Sequence, residues 1–268
     1  MHVDNYGVTE KAPSETALDN HLERVFRNGY TVLDSTFDDQ FLSEVHLKVK
    51  ETRQSYESEH GIEFLKSIDE SHSVRAPFLY DPIFLEIAFN KNLMQLISSI
   101  LADGFILNQQ NLVINPAGEK YNQLFWHRDL PYQHFTSSRP IALNALFCLV
   151  DFTAENGGTT VLPSSHKHES FPSEGFVREA CLTVNAKRGQ FIVMDAMTFH
   201  SGTMNNSEHE RVGVNNVYAP PIIKRQIEVD QRDFHYPSES LSENIKGKLG
   251  LNYVTAPDIS SYLKSRVK

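Results

Sequence analysis

The chain has 268 residues, 40% of them apolar and 22% charged, ordinary proportions that imply a packed core rather than a disordered chain. Its formal net charge of −9 argues against a nucleic-acid partner, because neutralising phosphates takes clustered Lys and Arg and no window holds such a cluster. The two cysteines, Cys148 and Cys181, make neither a disulfide framework nor a zinc site, and residues 1–20 lack the apolar run of a secretory signal. No stretch approaches the roughly 18 apolar residues of a membrane span, so a cytoplasmic protein without a membrane partner is expected.

Residues 1–15 show no periodicity. From Thr16 to Asn28, Leu18, Leu22, Val25 and Phe26 fall at helical spacing, and Gly29 ends the helix. Tyr30 to Leu33 reads as a short strand. Asp38 to Tyr56 reads as a second helix, with Asp38 or Ser35 as its cap. Residues 57–76 are irregular. Helices are then expected behind Asp81-Pro82, continuing to about Asn90, and from Asn92 to Leu101. Beyond Gly104 the pattern turns to strands: Phe105–Ile114, Phe125–Asp129, Ile141–Phe152, Thr159–Leu162, Val177–Val184, Gly189–Asp195 and Arg211–Ala219. The chain closes on a mixed tail with a helix near Ile259 to Val267. Helices first and short strands second predict an α+β, mainly β, fold: one domain with an antiparallel sandwich or barrel and the N-terminal helices packed outside.

The sharpest local signal is Trp126-His127-Arg128-Asp129-Leu130. In a strand, residues i and i+2 share a face, so His127 and Asp129 project together. Imidazole nitrogen with carboxylate oxygen suits Fe(II), Mn(II) or Zn(II). His200, closing the apolar run Gly189 to Phe199, reads either as a residue at the core's edge or as a third ligand. Two histidines and a carboxylate form a facial triad that leaves three metal positions open. Arg211 lies eleven residues beyond His200 and opens the next strand. It could grip a carboxylate with two parallel hydrogen bonds, or pair at the surface with Glu208 or Glu210.

The order His-x-Asp, His, Arg resembles the phytanoyl-CoA dioxygenase family, and the resemblance runs from about Phe26 to Pro220. It includes Gly29-Tyr30-Thr31-Val32 and the stretch Glu155 to Lys167, with its Asn156-Gly157 turn and Pro163-Ser164-Ser165-His166. His166 is thereby read as a structural residue. The resemblance implies a double-stranded β-helix, a cupin-like jelly roll at about 105–220, with the helical part at about 16–103. It also implies iron held by His127, Asp129 and His200. 2-Oxoglutarate would be held through its C5 carboxylate by Arg211, with Asn144 as a second partner or a cross-strand amide. With O2, the expected reaction is hydroxylation of a C–H bond of a small-molecule substrate, releasing succinate and CO2. Related halogenases replace the acidic ligand by a small residue, whereas Asp129 is present here. Arg128 stands where relatives often have Gln. Candidate substrate contacts are Trp126, Arg128 and Arg75, then Tyr80, Lys120, Tyr132 and Arg139, each of which also reads as a surface cation or packed aromatic. The basic ones point to an anionic or zwitterionic substrate. The alternatives are a non-catalytic cupin-like metal- or ligand-binding protein and a zinc hydrolase.

Overall fold

The computed structural model describes residues 6–8, 10–12, 15–130, 135–253 and 255–267. Helix α1, Ala17–Asn28, begins on a reciprocal cap: the Thr16 hydroxyl accepts from the Asp19 amide, and the Asp19 carboxylate accepts from the Thr16 amide. Gly29 ends it at φ +84°, and strand β1, Tyr30–Asp34, follows at once. Helix α2, Asp39–His60, is capped by Asp38 and runs past the expected Tyr56. The stretch expected to be irregular holds helix α3, Ile62–Ser67, and strand β2, Ser73–Arg75. Helices α4, Ile83–Ala88, and α5, Lys91–Leu101, come next. Asn90 caps α5, and its side-chain amide also donates to the Ser35 carbonyl, tying the helix to the end of β1.

The strands follow as β3, Ile106–Asn115; β4, Leu143–Cys148; and β5, Thr160–Val161. The expected strand over Val177–Val184 is instead helix α6, Glu174–Ala180, followed by the two-residue strand β6, Leu182–Thr183. Ser173 caps α6 through the Phe176 amide, a local signal that the apolar residues between masked. Then come β7, Gln190–Asp195; β8, His200–Ser201; and β9, Arg211–Ala219. Helices α7, Glu243–Lys248, and α8, Ile259–Ser265, lie in the tail. Phe125–Asp129 is not a regular strand, since its one bridge joins His127 to His200. No helix among the described residues is long and apolar enough to cross a membrane.

Six strands form one antiparallel sheet in the order β1-β7-β4-β9-β3-β2, and β6-β5-β8 form a second. The two-residue alternation of a strand gives the large sheet two different faces. One carries Leu143, Ala145, Phe147, Phe191, Val193, Val212, Val214 and Tyr218. These pack against Val25 of α1, Val45 of α2 and Leu93 of α5 in the main core. The other carries Leu146, Cys148, Ile192 and Met194, which meet Val161 and Val184 of the small-sheet side in a second cluster. Fully burying a side chain such as Phe147 contributes about 1.5–3 kcal/mol. The inner face is also where Asn144, Asn215 and Arg211 project, so a polar cavity sits between two apolar layers.

Gly29 is where α1, β1 and the inner layer meet. A Cβ there would lie 2.4 Å from Thr198 Oγ1 and 2.6 Å from His166 Nδ1, on a backbone already at positive φ. The Thr198 hydroxyl donates to the Gly29 carbonyl, and the ring of His166 hydrogen-bonds the Phe26 carbonyl, so neither can retreat without losing a partner. Gly29→Ala is therefore expected to lower folding stability by about 2–4 kcal/mol in chemical denaturation. A loss below half a kcal/mol would show that this junction is loose.

Candidate metal centre

His127 and His200 are set opposite one another by the backbone. The His127 amide donates to the His200 carbonyl at 2.9 Å, and the His200 amide returns a bond to the His127 carbonyl at 3.0 Å. The Asp129 amide donates to Ala196, holding the segment on the same neighbour. Each ring is then fixed by the same device. His127 Nδ1 donates to the Phe125 carbonyl at 2.7 Å, and His200 Nδ1 donates to the Thr198 carbonyl at 3.0 Å. A carbonyl only accepts, so Nδ1 carries the proton in both rings and Nε2 keeps its lone pair. Burial, with the neighbouring His200 second, lowers the basicity of His127, while Asp129 partly opposes the shift. Its imidazole is thereby favoured in the neutral form that a metal requires.

Asp129 completes the set. Its Oδ2 accepts from Asn144 Nδ2 at 2.6 Å, and its Oδ1 lies 3.8 Å from His200 Nε2. One carboxylate oxygen is thus held by the amide and the other is turned to the histidines. The donor atoms of His127, Asp129 and His200 all lie within 4.8 Å of one another. Metal bonds of about 2.1 Å at right angles bring neighbouring donors to about 3 Å, so a modest contraction closes the triad on an ion. Asn144, expected as a partner of 2-oxoglutarate, gives one N–H of its amide to Asp129 and keeps a second, while its Oδ1 is buried without a partner.

Arg211 opens β9 on the inner face and is 2% exposed. Its guanidinium lies over the Phe152 ring, 4.3 Å from the centroid, and Nη2 donates to the Tyr121 hydroxyl at 2.9 Å. Nε and Nη1 are buried with no hydrogen-bond partner. Glu210, one of the expected surface partners, instead pairs with Arg53 at 3.0 Å. Burial pulls the Arg211 basicity down, yet a guanidinium stays charged, so the structure holds a buried cation with two open donors. Tyr121 was not legible in the sequence. Its hydroxyl occupies the space a side chain at residue 202 would fill: a Cβ on Gly202 would lie 2.2 Å from it. The Tyr121 hydroxyl accepts from Arg211 and so keeps its own proton to donate.

Tyr121, His127, Asp129, Asn144, His200 and Arg211 line one cavity of about 410 Å³ including its mouth, in the range of small-molecule sites. Other expected contacts point elsewhere. Trp126 and Arg128 alternate with the two ligands and face the opposite side. Trp126 lies against Phe171, ring centroids 6.0 Å apart. Arg128 sits over Phe199 and donates to the carbonyls of Met197, Ser165, Glu169 and His168, so its expected substrate role is corrected to that of a clip on the 165–169 loop. Arg75 is engaged in a two-pronged ion pair with Glu70, outside this cavity, which corrects that expectation too. Tyr80 donates to Glu59 at 2.7 Å, and Lys120 and Arg139 are exposed. Tyr132 lies outside the described residues. His166 is buried and structural in its contacts, as its motif implied.

Comparison with known proteins gives this geometry a context. The family model described as Phytanoyl-CoA dioxygenase (PhyH) matches residues 26–213. An uncharacterized protein of Mycobacterium tuberculosis is 24% identical over 223 residues, 81% of either chain. An ectoine dioxygenase of Stutzerimonas stutzeri is 25% identical over 165 residues, 59% of this chain and 53% of that one. Among solved structures, EctD from S. alaskensis with 2-oxoglutarate and 5-hydroxyectoine matches with a TM-score of 0.63 at 18% identity, covering 87% of both chains. The epimerase SnoN from nogalamycin biosynthesis matches at 0.57 and 21% identity, covering 76% of this chain and 80% of its own. Likeness at these identities establishes a shared fold.

The amide–carboxylate bond makes its own prediction. Asn144→Ala frees Asp129 to rotate and should weaken binding of Fe(II) or Co(II) about 10–100-fold in anaerobic titration, with the fold retained. Unchanged metal affinity would mean that Asp129 is oriented without Asn144.

Proposed function

This chain belongs to the phytanoyl-CoA dioxygenase family, and from that premise we propose that it is an Fe(II)- and 2-oxoglutarate-dependent oxygenase, a single catalytic domain whose two antiparallel sheets are the halves of a double-stranded β-helix. His127, Asp129 and His200 hold the iron, and Arg211 holds the C5 carboxylate of 2-oxoglutarate. The observation that carries this reading is the buried guanidinium of Arg211, whose two unpartnered nitrogens, Nε and Nη1, share a cavity with the triad. A charge without a partner at that depth costs several kcal/mol, and a dicarboxylate reaching from the metal to Arg211 offsets that cost. Two relatives of similar fold support it: EctD with bound Fe, and SnoN in complex with Fe3+ and alpha ketoglutarate.

Bound in this way, iron and the 2-oxo acid supply the activation of O2, with succinate and CO2 as co-products. The chain's own groups do the placing. The two Nδ1–H bonds keep both Nε2 atoms aimed at one point, and Asn144 limits Asp129 to one coordinating oxygen. Arg211 and the Tyr121 hydroxyl form a two-sided grip on the distant carboxylate, which fixes how the near end meets the metal. Leu146 and Met194 give the same cavity an apolar wall. With the acidic ligand in place, hydroxylation of a C–H bond of a small molecule is the proposed outcome. A hydrolytic zinc site would need a general base beside the metal, and Asp129 is the one carboxylate among the described lining residues.

The test is succinate production from 2-oxoglutarate and O2 by Fe(II)-loaded protein across a panel of metabolites. Alanine at His127, Asp129 or His200 should abolish it. Arg211→Ala should raise the 2-oxoglutarate requirement at least about tenfold with iron binding retained, and Tyr121→Phe should raise it less. Full turnover in all three ligand variants would overturn the triad, and an unchanged requirement in Arg211→Ala would overturn the carboxylate grip.

A further inference from the structure

A second, roomier space opens beside the metal centre. It encloses about 890 Å³ including its mouth; among the described residues its walls include Leu130, Phe135, Ile141 and Ile223, and its charged side chains are Asp129 and Lys224. Asp129 lines both this chamber and the triad's cavity, so the two adjoin at the metal. Arg211 lines only the latter. A molecule in the chamber would therefore reach the metal past Asp129, clear of the end that grips 2-oxoglutarate.

The chamber's wall is built rather than loose. Strand β3 bulges at Asn108, and the bulge aims that side chain at the segment after β9, where its amide donates to the Ile223 carbonyl at 2.9 Å. The Ile223 amide donates to Pro220, closing a turn. Two residues on, Arg225 donates to the carbonyls of Leu107 and Leu249. Lys224 lies between these anchors. It is exposed and makes no hydrogen bond or ion pair among the described residues.

Resting on the oxygenase reading, we infer that this chamber is the substrate site and that the substrate is a small amphipathic anion, its aliphatic body against Leu130, Ile141 and Ile223 and its carboxylate or phosphate head at Lys224. The apolar walls favour a molecule that brings apolar surface to bury, at about 25 cal/mol per Å². A surface of net charge −9 repels anions except where a cation stands without an acidic partner, and Lys224 is such a place at the chamber. A cationic head would be repelled by Lys224, and the one acid among the chamber's described residues, Asp129, is already held by Asn144 and turned to the histidines.

The experiment uses the anaerobic Fe(II) protein saturated with 2-oxoglutarate, read by its visible charge-transfer band, and titrates four probes: octanoate, octyl phosphate, octylamine and octanol. At least one of the anions should perturb the band saturably and bind about fivefold or more tightly than the amine and the alcohol, and the tighter of the two identifies the head group. Lys224→Glu should weaken that anion about fivefold while leaving the band and the 2-oxoglutarate affinity unchanged. Equal binding of all four probes, no binding by either anion, or an unaltered anion affinity in Lys224→Glu would overturn the assignment. Absence of the band in the unmodified protein would instead bring down the oxygenase reading, and the inference with it.

Discussion

The constraint on which the site depends is a positive charge buried without an anion. Arg211 stands at the first position of β9, a strand paired along both edges, with Asn115 of β3 opposite it. It cannot swing to solvent, because its neighbours on the strand alternate between the main core and the inner cavity. The Tyr121 hydroxyl and the face of Phe152 compensate part of the desolvation cost and leave Nε and Nη1 for a ligand. Gly202 belongs to the same arrangement, since any larger residue would displace the hydroxyl that steadies the guanidinium. This costly buried charge is the observation on which the proposed anionic ligand rests.

The metal side is built on a different principle. It rests on backbone geometry, with side chains following. One reciprocal pair of amide bonds brings His127 and His200 together across about seventy residues of chain, and each ring is then aimed by the carbonyl two residues before it. Asp129 is the exception. Its orientation comes from a side chain, Asn144 on the central strand β4, which makes the large sheet a support for the candidate metal centre as well as for Arg211. The chamber at Lys224 shares Asp129 with the triad's cavity, so the two spaces meet at one carboxylate.

Much of this was legible because it is local. Thr16, Asp38 and Gly29 mark helix ends through their own hydrogen bonds and dihedral preferences, and the alternation in Arg211–Ala219 declares a strand. The triad was legible because ligand chemistry restricts residue type and the i, i+2 spacing restricts direction. The same spacing argues against Trp126 and Arg128 as pocket residues, since they alternate with the ligands. Their position beside His127 outweighed that rule in the sequence reading. Tyr121, and the bond from Asn144 to Asp129, were beyond local reasoning for another reason. Asn144 meets Asp129, and Tyr121 meets Arg211 and Gly202, only through tertiary contact, and nothing near either residue in the chain signals it. The region Val177–Val184 failed for want of length, since a seven-residue helix followed by a two-residue strand leaves no periodicity to read.

The most direct test of the central claim is the visible spectrum of the anaerobic Fe(II) protein as 2-oxoglutarate is added. A weak charge-transfer band that grows and saturates with 2-oxoglutarate is the expected result, since only chelation at an iron with open positions produces it. No band in protein shown to hold Fe(II) would contradict the claim that the triad and Arg211 together bind a 2-oxo acid.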